Sequence, residues 1–168
     1  EERENLLAGF FSRYRPRLSR MVQLRLHPRL RRRIDPSDVI QETFLEASRR
    51  LEQYLEEPDV PLFLWLRRIA SYTLQRAHRD HLKVKARDAE REVIARSRAP
   101  DATSEAMVAQ FVTPGRSPSD AAAQAEQRAA VRKALDGLQP TDREILALRF
   151  FEQLSNAEAA PVLALTEP

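Results

Sequence analysis

Thr141-Asp142-Arg143-Glu144-Ile145-Leu146-Ala147-Leu148-Arg149-Phe150-Phe151-Glu152-Gln153-Leu154-Ser155-Asn156-Ala157-Glu158-Ala159-Ala160-Pro161-Val162-Leu163-Ala164-Leu165-Thr166-Glu167-Pro168 closes this chain. Two places in it have the spacing of a capping box. Thr141 is followed three residues later by Glu144, and Ser155 by Glu158, so a hydroxyl and a carboxylate can satisfy each other's backbone donors at a helix start. Each opens an apolar run. Ala164-Leu165 then reads as a turn and Thr166 as the N-cap of a third helix. A helix, a short helix, a tight turn and a third helix make a helix-turn-helix, whose third member enters the major groove. That helix would lie beyond Pro168. The chain begins without Met, so the expectation is a piece of a longer DNA-binding protein, with the recognition helix missing. Pro161 inside the second helix is expected to bend it, and Ala164 stands where such turns often have Gly.

Composition agrees with helix throughout. The 168 residues suffice for one ordinary domain or two small ones, 42% of them are hydrophobic, and there are only three Gly. Ala, Leu, Arg, Glu and Gln dominate, and all favour helix. No apolar run is long enough to span a membrane, and no signal peptide is visible. The absence of Cys excludes disulfides and thiolate metal sites and fits a cytoplasmic location.

The net charge of +3 hides a segregated pattern. Residues 1–35 carry ten Arg against four acids and residues 60–98 carry ten basic groups against four acids, a net +6 in each. Between them, residues 36–59 hold seven acids against two Arg, a net −5. Residues 99–118 and 119–168 are mildly acidic, at −1 and −3. Alternating blocks suggest separate faces for separate partners, the basic ones for phosphate and the acidic one for a protein.

Leu7, Phe10, Phe11, Tyr14, Leu18, Met21 and Val22 recur at steps of three and four, the stripe of an amphipathic helix. Pro16 should kink this helix or divide it in two. His27-Pro28 starts an Arg-rich connection. Asp35-Pro36 then opens a helix cleanly, with Asp35 as N-cap, Pro36 in the first turn and Asp38 at the positive end of the dipole. Its apolar face is Val39, Ile40, Phe44, Ala47, Leu51 and Leu55. Pro58 and Pro61 mark a loop, and a further helix is built on Leu62, Leu66, Ile69, Ala70, Thr73, Leu74 and Ala77. Residues 99–118 lose helical periodicity and gather Pro, Ser and Thr, so an interdomain linker is expected there. Met107, Val108, Phe111 and Val112 are apolar enough to dock that linker in a groove. From Ser119 a helix resumes through Val131, Leu135 and Leu138, with Gly137 as its stop. The expected fold is all-α, in two small helical domains (1–95 and 119–168) joined by a flexible linker (96–118), the second an incomplete helix-turn-helix.

The run from Asp35 to Ala47, with its Asp-x-x-Gln-Glu core, resembles the acidic helix of conserved region two in the extracytoplasmic-function sigma factors. Phe63-Leu64-Trp65-Leu66-Arg67-Arg68-Ile69-Ala70 looks like that family's promoter-melting segment. Residues 141–165 look like the opening of its conserved region four. Three motifs in the family's order, at its separation, cover much of the chain.

The resemblance implies that Asp38, Gln41, Glu42 and Leu45, on one face by their i, i+3, i+4, i+7 spacing, dock on the clamp coiled-coil of core RNA polymerase. It places contacts to the promoter's minus-ten element on the loop after Leu55 and on the helix from Phe63. Arg67, Arg68, Arg76 and Arg79 would meet phosphate, and Tyr72 would stack on a base leaving the duplex. Trp65 is expected in the core. His78 and His81 lie one turn apart, but no third ligand accompanies them, so no metal is expected and both should face solvent or DNA.

No Gly-rich phosphate loop, catalytic triad order or paired-carboxylate pocket stands out, so no enzyme activity and no cofactor are expected. The implied function is bacterial transcription initiation: binding core RNA polymerase, recognising promoter DNA and nucleating its melting, under possible control by an anti-sigma factor. The alternative is a helix-turn-helix regulator that acts on duplex DNA without polymerase.

Overall fold

The computed structural model describes residues 2–27, 30–31, 33–82, 100–112 and 118–164. The chain divides into two compact units, Glu1–Pro100 and Asp101–Pro168. Among the described residues every regular element is helical and there is no strand.

The first unit is a three-helix bundle of α1 (Glu2–Arg25), α2 (Pro36–Glu56) and α3 (Leu62–Leu82), each in contact with the other two. One aromatic pair marks each junction. Phe11 meets Phe44 between α1 and α2 at 5.1 Å, and Tyr14 meets Phe63 between α1 and α3 at 5.3 Å. Tyr54 stacks on Trp65 between α2 and α3 at 4.5 Å. Such pairs contribute about 0.5–1.5 kcal/mol beyond their area. Trp65 is buried, as the sequence predicts.

Pro16 does not divide α1, which runs unbroken from Glu2 to Arg25. An interior proline costs ~3 kcal/mol, whereas each fully buried Leu, Met or Val contributes about 1.5–3 kcal/mol. Leu18, Met21, Val22 and Leu24 are all fully buried in the turns that follow. Packing therefore outweighs the break. The connection to α2 is more than a basic loop: Leu30 and Ile34 are buried in it. The amide of Ile34 donates to the Leu30 carbonyl at 2.8 Å.

The start of α2 follows the sequence closely. The Asp35 carboxylate accepts from the Ser37 amide and the Ser37 hydroxyl, both at 2.8 Å, and Pro36 occupies the first turn. These bonds hold the Asp35 carboxyl below its ordinary pKa. Val39, Ile40, Thr43, Ala47 and Leu51 are buried. Leu55, expected on the same face, is exposed in the last turn of α2, which ends one residue later, at Glu56.

The second unit holds α4 (Ser104–Phe111), α5 (Pro118–Asp136), α6 (Pro140–Leu146), a π-helical turn (Ala147–Phe151) and α7 (Asn156–Leu163). The segment expected to be a linker thus contains a helix. Thr103 caps α4, its hydroxyl accepting from the Ala106 amide at 3.2 Å. Ala102, Ala106, Met107, Val108 and Val112 are buried, and Phe111 meets Phe151 at 4.8 Å. The groove in which Met107 docks is in its own unit. Arg143 donates to the carbonyls of Leu135 and Leu138 at 3.2 Å each, closing the end of α5 with a cation as the helix dipole favours.

Of the two expected capping boxes only one forms. Ser155 and Glu158 exchange both bonds at the start of α7. Thr141 does not cap α6, because Pro140 takes the first helical position and Gln139 becomes the N-cap. Glu144 is instead buried, accepting from the Ala102 amide at 3.0 Å. In the π-helical turn the Glu152 amide reaches back to Ala147 at 3.1 Å, which turns Phe151 inward and leaves Phe150 exposed. Pro161 lies within α7, and Ala164 ends that helix in the left-handed region at φ 53°. The predicted N-cap Thr166 and the turn residue Leu165 lie outside the described residues.

Candidate functional site

Two neighbouring helices of the first unit carry the candidate residues. On α2, Asp38 and Gln41 are exposed, Leu45 is 50% exposed and Glu42 is half-buried. The buried residues of α2 occupy the other side, so these four form one outward face. The amphipathic period, one turn per 3.6 residues, dictates this separation.

On α3 the same period sorts the predicted residues. At roughly 100° per residue, Arg68, Tyr72, Arg76 and Arg79 fall within a strip roughly 80° wide. Tyr72 is 47% exposed, Arg68 is exposed, and Arg76 and Arg79 are half-buried. Arg67 does not join them. It is only 5% exposed, because two consecutive arginines must point about 100° apart and the bundle takes the first. Arg67 therefore leaves the list of groups that can meet phosphate in this conformation.

Carboxylates hold several of the cations. Arg68 forms a two-pronged pair with Asp59, at 2.9 and 3.0 Å, which keeps the Asp59 carboxyl below its usual range. Arg76 reaches across from α3 to Glu42 on α2 at 2.6 Å, and this bond raises its already high pKa. Arg49 and Arg50 both reach Glu46, one turn away on α2.

A cleft of about 440 Å³ opens beside the α3 strip, lined by Arg50, Tyr54, Asp59, Trp65, Arg68 and Tyr72 among others. Its loop wall, residues 57–61, is fixed at two points. The Tyr54 hydroxyl donates to the Val60 carbonyl at 2.9 Å, and Asp59 is held by Arg68. Burial, with the nearby Asp59 charge, pushes the Tyr54 phenol above its ordinary pKa. The Arg50 guanidinium lies 6.0 Å from the centre of the Tyr72 ring. Sequence reasoning missed Tyr54, Arg50 and Asp59. The one signal was position: Tyr54 precedes the loop by a turn, and Asp59 lies within it.

His78 faces inward, contrary to expectation. Its Nε2 accepts from the His27 amide at 3.3 Å, and burial together with neighbouring His27 pushes its pKa down to about 4. The side chain of His81 lies outside the described residues. Among the described residues no group of three His, Asp or Glu stands where it could hold a metal ion. No helix among them is long and apolar enough to cross a membrane.

Residues 10–84 match the family model for sigma-70 region 2. This stretch is similar to sigma-70 region 2. It spans the bundle from Phe10 through α3 and contains both candidate faces and the cleft. The match supports a sigma factor of the sigma-70 family, acting in transcription initiation through binding of RNA polymerase and DNA. Searches among curated proteins and among solved structures returned no match.

Proposed function

We propose that the chain is an initiation factor of the extracytoplasmic-function type, with its polymerase and promoter contacts on adjacent helices of the sigma-70 region 2. The Asp38/Gln41/Glu42/Leu45 face of α2 docks on the charged clamp coiled-coil of core RNA polymerase. The strip of Arg68, Tyr72, Arg76 and Arg79 on α3, with the cleft beside it, receives the minus-ten strand. The carrying observation is the juxtaposition of an acidic outward face with a cationic strip flanking an aromatic-walled cleft. Stacking surfaces beside cations trap unpaired bases with little regard to sequence, and a 440 Å³ cleft is ample for one base.

The second unit is the region-four counterpart in this reading, with α6, the π-helical turn and α7 as the part of its helix-turn-helix within the described residues. An anti-sigma factor is the expected antagonist, covering one of the region 2 faces. The factor itself performs no covalent chemistry: binding energy opens the promoter.

The test is the salt dependence of promoter binding by the polymerase complex. Arg68→Ala, Arg76→Ala and Arg79→Ala should each flatten the log–log slope by about one unit. Arg67→Ala should leave it unchanged. Unchanged slopes for all three of the outward arginines would remove the phosphate-binding assignment.

A further inference from the structure

We propose that copies of this chain associate head to tail, the outer side of α1 in one copy docking on the acidic α2 face of the next. The α2 face is then contested between a second copy and core RNA polymerase. That competition rests on the polymerase assignment above, whereas the self-association does not.

The core side of α1 is Leu7, Phe11, Leu18, Met21 and Val22, all buried. A second stripe runs down the same helix and the bundle leaves it open. Leu6 and Phe10 are 58% and 44% exposed, Arg13 and Arg20 are exposed, and Arg17 is half-buried. At roughly 100° per residue they fall within a strip roughly 80° wide. Its order matters: apolar side chains come in the first turns and cations in the later ones. Arg17 is held at the border with α3, its guanidinium 3.7 Å from the centre of the Phe63 ring. Arg13 and Arg20 have no ion-pair partner among the described residues. Gly9 stands at the edge of the strip, where an added Cβ would meet nothing within 4 Å. A glycine inside a helix costs about 0.5–1 kcal/mol relative to Ala, and here it leaves a low spot beside Phe10 over which a second helix can come close.

The outward face of α2 has the opposite order: Asp38 first, then Gln41 and Glu42, then Leu45. Asp38 is exposed and, like Arg13 and Arg20, has no ion-pair partner among the described residues. Laid antiparallel, the two helices match position by position. With Phe10 opposite Leu45, Arg13 falls opposite Glu42 and Arg17 opposite Asp38, because both helices advance by three and then four residues. Apolar meets apolar and cation meets carboxylate. Nucleic acid fits the strip less well, since its phosphates would meet the arginines but leave Leu6 without a partner. A membrane surface needs apolar side chains along the whole strip. Because the two halves lie on different helices, each docked copy still offers one free half, and the contact is heterologous. Surface ion pairs contribute about 0.2–1 kcal/mol each, so the association is weak and sensitive to salt.

The experiment is sedimentation of the full chain across a concentration series at low and high salt. The unaltered chain should associate as concentration rises at low salt and return to monomer at high salt. Arg17→Glu and Asp38→Lys should each weaken the association about tenfold or more, because each sets like charges opposite one another. The chain carrying both changes should recover it, since the pair is then reversed rather than broken. Phe10→Ser should weaken it about two- to fivefold without altering its dependence on salt. Thermal melting of each variant checks that the bundle is intact. A stoichiometric amount of core RNA polymerase should dissolve the association. A chain that stays monomeric at low salt overturns the proposal and leaves the polymerase assignment in place. Association that survives both single reversals, or that the double change does not restore, overturns this pairing of α1 with α2. Association confirmed by the charge swap but untouched by polymerase overturns the competition alone.

Discussion

The His78 imidazole accepts the backbone donor of His27, the first residue after the turn that ends α1, and so ties α3 to that connection. A protonated imidazole has no lone pair left for this bond, and burial further disfavours the charge. The pKa is about 4 in the fold against 6.5 in the free side chain. Between those values the unfolded chain binds a proton that the folded chain does not. Stability should therefore be full above pH 6.5 and fall as pH drops toward 4. Because the ring is partly exposed, the loss should be on the order of 1 kcal/mol, well below the full value of the shift. Chemical denaturation at stepped pH checks this. His78→Gln should flatten the profile between pH 6.5 and 4, and an unflattened profile would assign the acid sensitivity to other groups. Sequence alone placed His78 on a wet surface because its role is set by an amide 51 residues away. The adjacent arginines turn on packing in the same way. Their 100° separation is a property of any helix, yet Arg49 and Arg50 are both exposed, so it is the bundle that buries Arg67 and leaves Arg68 outside.

Among the elements, those with local causes were legible and those with distant ones were not. Asp35-Pro36 and Ser155–Glu158 cap their helices because the groups that satisfy them are two or three residues away. Thr141–Glu144 has the same spacing and fails, since Pro140 shifts the helix start and Glu144 answers Ala102 instead. Helix α4 was hidden among Pro, Ser and Thr, although Thr103 and Glu105 stand at its start as a cap and a first-turn acid. Its eight residues are too few to hold as a helix alone. Packing holds it. Met107 is fully buried, so Met107→Ala should cost about 2–4 kcal/mol. Far-UV circular dichroism during denaturation would measure it, whereas a loss under about 0.5 kcal/mol would restore the flexible tether expected from composition. The cleft between α2 and α3 was illegible for a similar reason. Its loop wall is set by Tyr54 with Val60 and Asp59 with Arg68, pairs that form only once α2 and α3 have packed.

Across the whole chain, the alternating charge blocks acquire a physical meaning in the first unit. The acidic block supplies α2 and the loop after it, and the basic block supplies α3. Bundle packing then sets carboxylates beside arginines, so much of that charge is answered within the chain. What each face presents to a partner is therefore smaller than the sequence counts suggest and depends on which ion pairs stay closed. The family match over residues 10–84 covers this bundle. The second unit contributes a helical body with an ordered capping box and a left-handed turn at Ala164.

Core RNA polymerase binding by the Asp38→Lys/Glu42→Lys chain is the most direct test, read by titration against labelled polymerase beside the unaltered chain. Circular dichroism should report unchanged helicity, since both side chains lie outside the buried face of α2. The expected result is loss of assembly at concentrations that saturate the unaltered chain. Assembly with unaltered affinity would contradict the assignment of the acidic α2 face to polymerase.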